Sequence, residues 1–238
     1  MKVYAAFDDT DVIDAEFGTG KLVRMLEPKL PDGARMIGVV RHQLLVADDI
    51  PYTSHNSPAC AILELESLEL IQPLIEIAAS HLESLASPGS DPGLCIAGGA
   101  DVSQDLIELG QQAGVRKVTQ DEARDAAGDI WLSGHGGTND GIIGAAAAVG
   151  LTAHGWEGRF IEYGGLREMP DPISVAALQA ADILPMTLER NVQPPAPGDM
   201  IATQGWLRPR LCGGRAVLPL LQKQPGLWCS IGRSSENG

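Results

Sequence analysis

The sequence is poor in several of the features that announce a function. Aromatic residues make up 4% of the chain, and the tryptophans at 131, 156, 206 and 228 are spread too widely to form a stacking stripe for bases. The four cysteines, Cys60, Cys95, Cys212 and Cys229, contain no CxxC pair, so neither a zinc ribbon nor a disulfide framework is signalled and reduced, buried thiols are expected. Basic residues are scarce: 17 against 31 acids, a formal net charge of -14 that opposes non-specific binding to nucleic acid or an anionic membrane. No apolar run reaches membrane-spanning length, and no charged lead followed by a long apolar stretch opens the chain. A soluble cytoplasmic protein without a fixed-period repeat is expected.

Two familiar phosphate motifs are also missing. In FGTGKL the glycine required five residues before Gly20 is Ala15, and Leu22 follows Lys21 where Ser or Thr is needed, which excludes a Walker loop. GGTNDG has the wrong glycine spacing for a dinucleotide fingerprint, and no strand leads straight into it. GGRAVL, near the end, belongs to a hairpin turn.

What is present is enough chain for one large domain or two lobes, 238 residues at 44% hydrophobic content. Strand-like and helix-like segments alternate, which predicts an α/β (α+β) architecture of mixed sheets and helices. Strands are expected over Val3 to Phe7, Arg35 to Val46, Ala59 to Leu65, Leu94 to Ala97 and Arg159 to Tyr163, the second and third forming a hairpin. Helices are expected over Thr19 to Leu26, Leu68 to Leu85, Ser103 to about Ala113 and Ile173 to Ala181. SPGSDPG marks a surface loop, NVQPPAPGD a rigid spacer, and the apolar runs flanking Gly213-Gly214 a hairpin. SSENG at the end is expected to fray. The expected division is a kinase-like α/β region over 1–132, a glycine-rich helix with a ferredoxin-like or closing segment over 133–190, and a proline-rich linker with a short β-hairpin extension over 191–238.

Two stretches carry chemistry. FDDTD places Asp8, Asp9 and Asp11 directly behind the first strand, a costly collection of like charges unless a cation, a donor array or solvent relieves it. SGHGGTNDGIIGAAAAVGL leads a glycine-dense loop into a helix expected to start near Thr138 or Asn139, whose free N–H groups and positive dipole end suit a phosphate. Close helix packing through Gly141, Gly144 and the alanines explains the same composition. The acidic loop can hold a divalent cation and the helix start can hold phosphates, and Mg²⁺ with one or two carboxylates plus substrate phosphates joins such halves. Thr10 or Thr19 offers a further oxygen, and Lys21 either contacts phosphate as a point charge or is a solvated surface lysine. His135, Asn139 and His55 lie in or beside these loops as proton carriers or phosphate donors, or simply as surface residues. GGAD at 98–101 either brings Asp101 to a ligand or forms a turn with a helix cap.

FDDTD, Gly18-Thr19, IPY at 50–52 and DGIIGAAAAVGL together resemble the ATP-dependent tRNA-isoleucine agmatidine synthetase family over roughly residues 1–165. The resemblance implies a kinase-like lobe and a ferredoxin-like lobe, with ATP and Mg²⁺ as cofactors. Carried over, Asp8, Asp9 and Asp11 would hold the metal, Thr19 would lie near the phosphates, and Gly141 to Gly144 would contact ATP. From the residues themselves, Asp9 and Lys21 would join Thr19 in catalysis, and Thr10, Gly18, Thr138, Asn139 and Asp140 would line the nucleotide. The chain departs from the family in having Gly18-Thr19 for its cysteine-threonine pair, Thr53-Ser54-His55-Asn56-Ser57 for its KTRGN segment, and no zinc ribbon. The expectation is a shortened relative: an ATP- and Mg²⁺-dependent phosphoryl or nucleotidyl transferase acting on an unidentified small acceptor. Transfer RNA is the weaker partner and an oligomer is compatible. A non-catalytic nucleotide-binding module, or an interaction protein without a nucleotide site, remains the alternative.

Overall fold

A computed structural model describes residues 1–48, 50 and 56–231. The chain divides into two compact units, Met1–His154 and Gly155–Gly238. Pro51 to His55 of the IPYTSHN segment and the terminal SSENG lie outside the described residues.

The first unit is built on strands β1 (Lys2–Asp8), β2 (Ala34–Arg41), β3 (Ala59–Leu65), β4 (Gly93–Gly98) and β5 (Trp131–Gly134) in the order β5-β4-β1-β3-β2, every neighbouring pair antiparallel. Successive strand residues point to opposite faces, yet Val3 to Phe7 and the whole of β4 are buried. Both faces of the central strands are therefore covered. The covering helices are α1 (Thr19–Arg24), α2 (Ile71–Leu85), α3 (Gln104–Ala113), α4 (Gln120–Ala127) and α5 (Gly141–His154). Ser103 caps α3 by accepting from the Leu106 amide at 3.1 Å. Thr119 and Glu122 form a reciprocal capping box on α4.

Helix α5 explains the small-residue run. Nearly every side chain from Gly141 to Thr152 is buried, so the segment has no polar face and gives no amphipathic signal. It crosses α3 at close range, because a Cβ on Gly150 would stand 2.0 Å from the Leu106 carbonyl oxygen. A larger residue at that crossing would push the helices apart. The helix begins at Gly141, two or three residues later than the sequence suggested, because Asn139 takes a left-handed backbone with φ 66°. Among the described residues no helix is long and apolar enough to cross a membrane.

The second unit contains β6 (Arg159–Tyr163), β7 (Ile173–Ser174), α6 (Val175–Ala180), β8 (Ile183–Thr187), β9 (Met200–Ala202), β10 (Arg210–Cys212), β11 (Arg215–Gln224) and β12 (Leu227–Ser230). Its strands follow the order β6-β10-β11-β12-β9-β7, with β8 parallel to β11. The hairpin expected across Gly213-Gly214 is the β10–β11 turn, where both glycines have positive φ. That hairpin sits in the middle of a larger sheet, since β11 also pairs with β8 and β12. Ile173–Ser174, expected as helix, form a strand whose Ser174 caps α6. Cys60, Cys95, Cys212 and Cys229 are free thiols, and burial pushes Cys60 up to about 12.

Candidate functional site

Strand β1 delivers Asp8 to the end of the sheet, where it pairs in register with Gly93 at the start of β4. Two residues before Gly93 lies Asp91, in the SDPG turn. Its carbonyl oxygen accepts from the Gly141 amide at 3.1 Å, which ties the turn to the first residue of α5. The acidic loop, the SDPG turn and the start of α5 thus share one edge of the first unit.

Contact at this edge is close. A Cβ on Gly144 would fall 1.8 Å from Asp8 Oδ2, so the carboxylate occupies the notch that glycine leaves on the first turn of the helix. Burial, then the neighbouring Asp9 and Asp11 charges, raise Asp8 to about 8, against a partial offset from the Asp9 amide. Asp9 is raised to about 6 by burial first, then by Asp91, Asp11 and Asp140. Its backbone is left-handed, with φ 51°, a conformation that aspartate enters more readily than most residues. Three carboxylates, those of Asp11, Asp91 and Asp140, therefore repel that of Asp9, two of them arriving from segments far along the chain.

A polar web holds the surroundings. Thr10, buried, donates to Thr19 Oγ1 at 2.9 Å, and Thr19 in turn donates to Asp11 Oδ1 from its hydroxyl at 3.2 Å and its amide at 3.3 Å. Gly18 precedes α1, where a Cβ would find ordinary contact 3.6 Å from Asp11. Thr138 grips Asp91 with its amide at 2.9 Å and its hydroxyl at 2.7 Å. Gln120, from α4, donates to Asp140 Oδ1 at 2.6 Å and to the Thr138 carbonyl at 2.8 Å. Asn139 lays its side chain over Gly134, where a Cβ would come 2.1 Å from Asn139 Oδ1.

Thus Asp8, Asp9, Thr10, Asp11, Thr19, Asp140, Gly141 and Gly144 are brought together. Lys21 is not part of this web: it is exposed, and its ammonium lies 5.1 Å from the centre of the Phe17 ring. Asp101 stands at the opposite end of β4, in a turn closed by its amide on the Gly98 carbonyl. Asp91 and Gln120 are the site residues that sequence reasoning passed over. For Asp91 the signal was present as an Asp-Pro-Gly turn, and only its role as a charge near Asp9 was hidden.

The sequence suggested free amides at the helix start, and five of them instead have partners. Those of Thr138, Asn139, Gly141, Ile142 and Ile143 donate to Asp91 Oδ1, Gly136 O, Asp91 O, Asn139 O and Asp140 O respectively. The Asp91 carboxylate sits on Thr138 as an external anion would. Among the described residues no group of three His, Cys, Asp or Glu side chains is spaced to hold a metal as it stands. The donor set is nevertheless all hard oxygen, and the smaller part of the upward shifts of Asp8 and Asp9, the repulsion from neighbouring carboxylates that adds to burial, is what a divalent cation relieves. The residues present suit Mg²⁺ in chemistry.

No protein-family model and no curated protein matches the chain. Solved structures do. A tRNA fluorescent labeling enzyme superposes with a TM-score of 0.54 at 25% identity, over 63% of this chain and 36% of its own. Apo TiaS, a tRNA agmatidine synthetase, gives 0.52 at 22%, over 63% and 35%. TiaS in complex with its tRNA and ATP gives 0.54 at 24%, over 63% and 36%. The resemblance to agmatidine synthetase expected from the motifs is present at the level of the fold, and the match spans little more than a third of those longer chains.

Proposed function

We propose that the first unit is an ATP- and Mg²⁺-dependent transferase module that moves a phosphoryl or nucleotidyl group to a small acceptor. The observation that carries this reading is the seating of the Asp8–Asp11 loop against Gly141 and Gly144, with Asp91 and Asp140 beside Asp9. Carboxylates held together at a raised free energy are what a cation-phosphate pair stabilises on arrival. Asp8, Asp9 and Asp11 would hold Mg²⁺, which when bound neutralises charge on the phosphates. Thr19, oriented by Thr10 and Asp11, offers a hydroxyl at the loop, and Lys21 reaches phosphate only if it leaves Phe17. Thr138, Asn139 and Asp140 would border the nucleotide, with Gly18 at the turn into α1. The named relatives include a complex with ATP and tRNA, which supports nucleotide use and leaves tRNA as a partner to test.

One observation favours a second reading, an interaction protein without a nucleotide site: Thr138 and the helix-start amides already have partners. Titration calorimetry with ATP, with and without Mg²⁺, followed by chromatography for AMP and ADP, separates the two. The transferase reading expects metal-dependent binding, and product formation once acceptors such as agmatine or bulk tRNA are added. Asp9→Asn and Asp11→Asn are expected to abolish metal-dependent binding in protein that remains folded; unchanged binding in both would overturn the site.

A further inference from the structure

A second constellation lies on the same unit and needs no nucleotide. Strand β5 is the edge of its sheet, paired with β4 alone among the described residues, and it carries Ser133 opposite Leu94. Ser133 Oγ lies 2.9 Å from His135 Nε2, and His135 Nδ1 lies 2.9 Å from Glu83 Oε1, on the last turn of α2. The indole Nε1–H of Trp131 donates to Ser133 Oγ at 3.2 Å. With the imidazole neutral, the chemistry of the four groups gives the tautomer. Indole is a donor only and ionised glutamate an acceptor only, so Nδ1–H faces Glu83, Nε2 is the bare acceptor, and the serine hydroxyl donates to it.

This is the arrangement in which a hydroxyl becomes a nucleophile: a base within hydrogen-bond reach, itself oriented by a third group. The side chain of His135 is only 10% exposed, whereas that of Glu83 is 63% exposed. The imidazole is therefore held by its surroundings, and the carboxylate, with water competing for it, contributes orientation in smaller measure. Trp131, 43% exposed, turns the N–H edge of its indole to the reacting oxygen and leaves part of the ring open to a ligand. An open sheet edge admits a small ligand, and the ring selects one with an aromatic part.

We propose that Ser133 and His135, positioned by Glu83, form an acyl-transfer site for small esters with an aryl leaving group. Ser133 Oγ bonds to the carbonyl carbon while its proton passes to His135 Nε2. The bond from that carbon to the leaving oxygen breaks, and the same proton goes to the departing phenol. Water then attacks the acyl-serine, its proton passing through Nε2 back to Oγ, and a carboxylic acid leaves.

The test uses the full chain without ATP or Mg²⁺, so that its outcome is independent of the nucleotide reading. The protein is treated with a fluorophosphonate probe, with 4-nitrophenyl acetate turnover followed in parallel, and adducts are located by peptide mass spectrometry. An adduct on Ser133 is expected, absent in Ser133→Ala of unchanged melting temperature. His135→Ala should slow labelling by about 100-fold, the low end of what a positioned general base contributes. Glu83→Gln should slow it by about tenfold and Glu83→Asp restore it to within about threefold, a rescue that a merely structural role would not show. Absence of a Ser133 adduct in the wild-type protein, or labelling indifferent to His135→Ala, overturns the proposal. Because the wild-type result is decisive alone, a variant that fails to fold does not protect it.

Discussion

Replacing Asp8 by Asn should stabilise the free protein, and should do so more at pH 8 than at pH 5. The folded carboxyl titrates at about 8, where an ordinary one titrates at 3.8, because burial and then Asp9 and Asp11 disfavour its charge. Between those two values the folded chain keeps a proton that the unfolded chain has released. Stability is thus full below about pH 4, falls as the pH rises toward 8, and levels off above it. From pH 5 to pH 8 the loss covers about three pKa units, or about 4 kcal/mol at ~1.4 kcal/mol per unit. Asparagine cannot ionise, so if it removes even half of that, the advantage of Asp8→Asn grows by about 2 kcal/mol across the range. For a chain of this size that is about 4–8 °C in melting temperature. Thermal unfolding of both proteins at pH 5, 6.5 and 8 measures the difference. A gain that is absent, or equal at all three values, would refute the assignment of Asp8 as a strained buried acid. The same melts with Mg²⁺ at pH 8 add a second readout, since an ion held by these carboxylates should raise the wild type more than the variant.

Other consequences can be checked alongside. Gly144→Ala drives a methyl into the Asp8 carboxylate and should cost about 1–3 kcal/mol, a penalty reduced when combined with Asp8→Ala in a double-mutant cycle followed by urea unfolding. Thr138→Val removes the hydroxyl that anchors Asp91 and leaves only the amide bond; a loss of about 1–3 kcal/mol, with faster amide exchange over residues 135–141, is expected by hydrogen exchange. His42 is buried against Thr152 at 2.8 Å, and burial lowers it to about 3. The folded protein therefore resists protonation that the unfolded chain accepts below about pH 6.5, so this histidine subtracts stability progressively as the pH falls from there toward 3. Its ring resonances should remain those of neutral imidazole at pH 5 in an NMR titration, and a midpoint near 6.5 would show that the ring is not buried.

How far the site could be read from sequence differs residue by residue. Asp8, Asp9 and Asp11 were visible because three acids behind an apolar strand are contiguous in the chain, and Gly141 and Gly144 because they open a run of small residues. Asp91, which presses on Asp9, and Gln120, which holds Asp140, were not visible. Each comes from an element whose neighbours are set by the sheet order β5-β4-β1, and pairing across that sheet is long-range information. Helix α4 was missed for another reason: its sequence QDEARDAA is polar and short, and its capping box at Thr119 and Glu122 was the one local clue. Strands β8, β9 and β12 are short segments that local pattern does not separate from loop; strand partners hold them, with β11 pairing β8 and β12, and β12 in turn pairing β9.

By itself the sequence determined the alternation of strands and helices, the acidic loop, the small-residue helix and the hairpin at Gly213-Gly214, because each depends on residues within a few positions of one another. Tertiary structure decided which of these meet. It set the Asp8 carboxylate into the Gly144 notch, turned an Asp-Pro-Gly loop into a further charge beside Asp9, gave the helix-start amides partners within the chain, and joined Glu83 to His135 across a gap that only packing closes. Repulsion among carboxylates and the reach of a hydrogen bond act through a few ångströms of space, and distance along the chain does not measure that space.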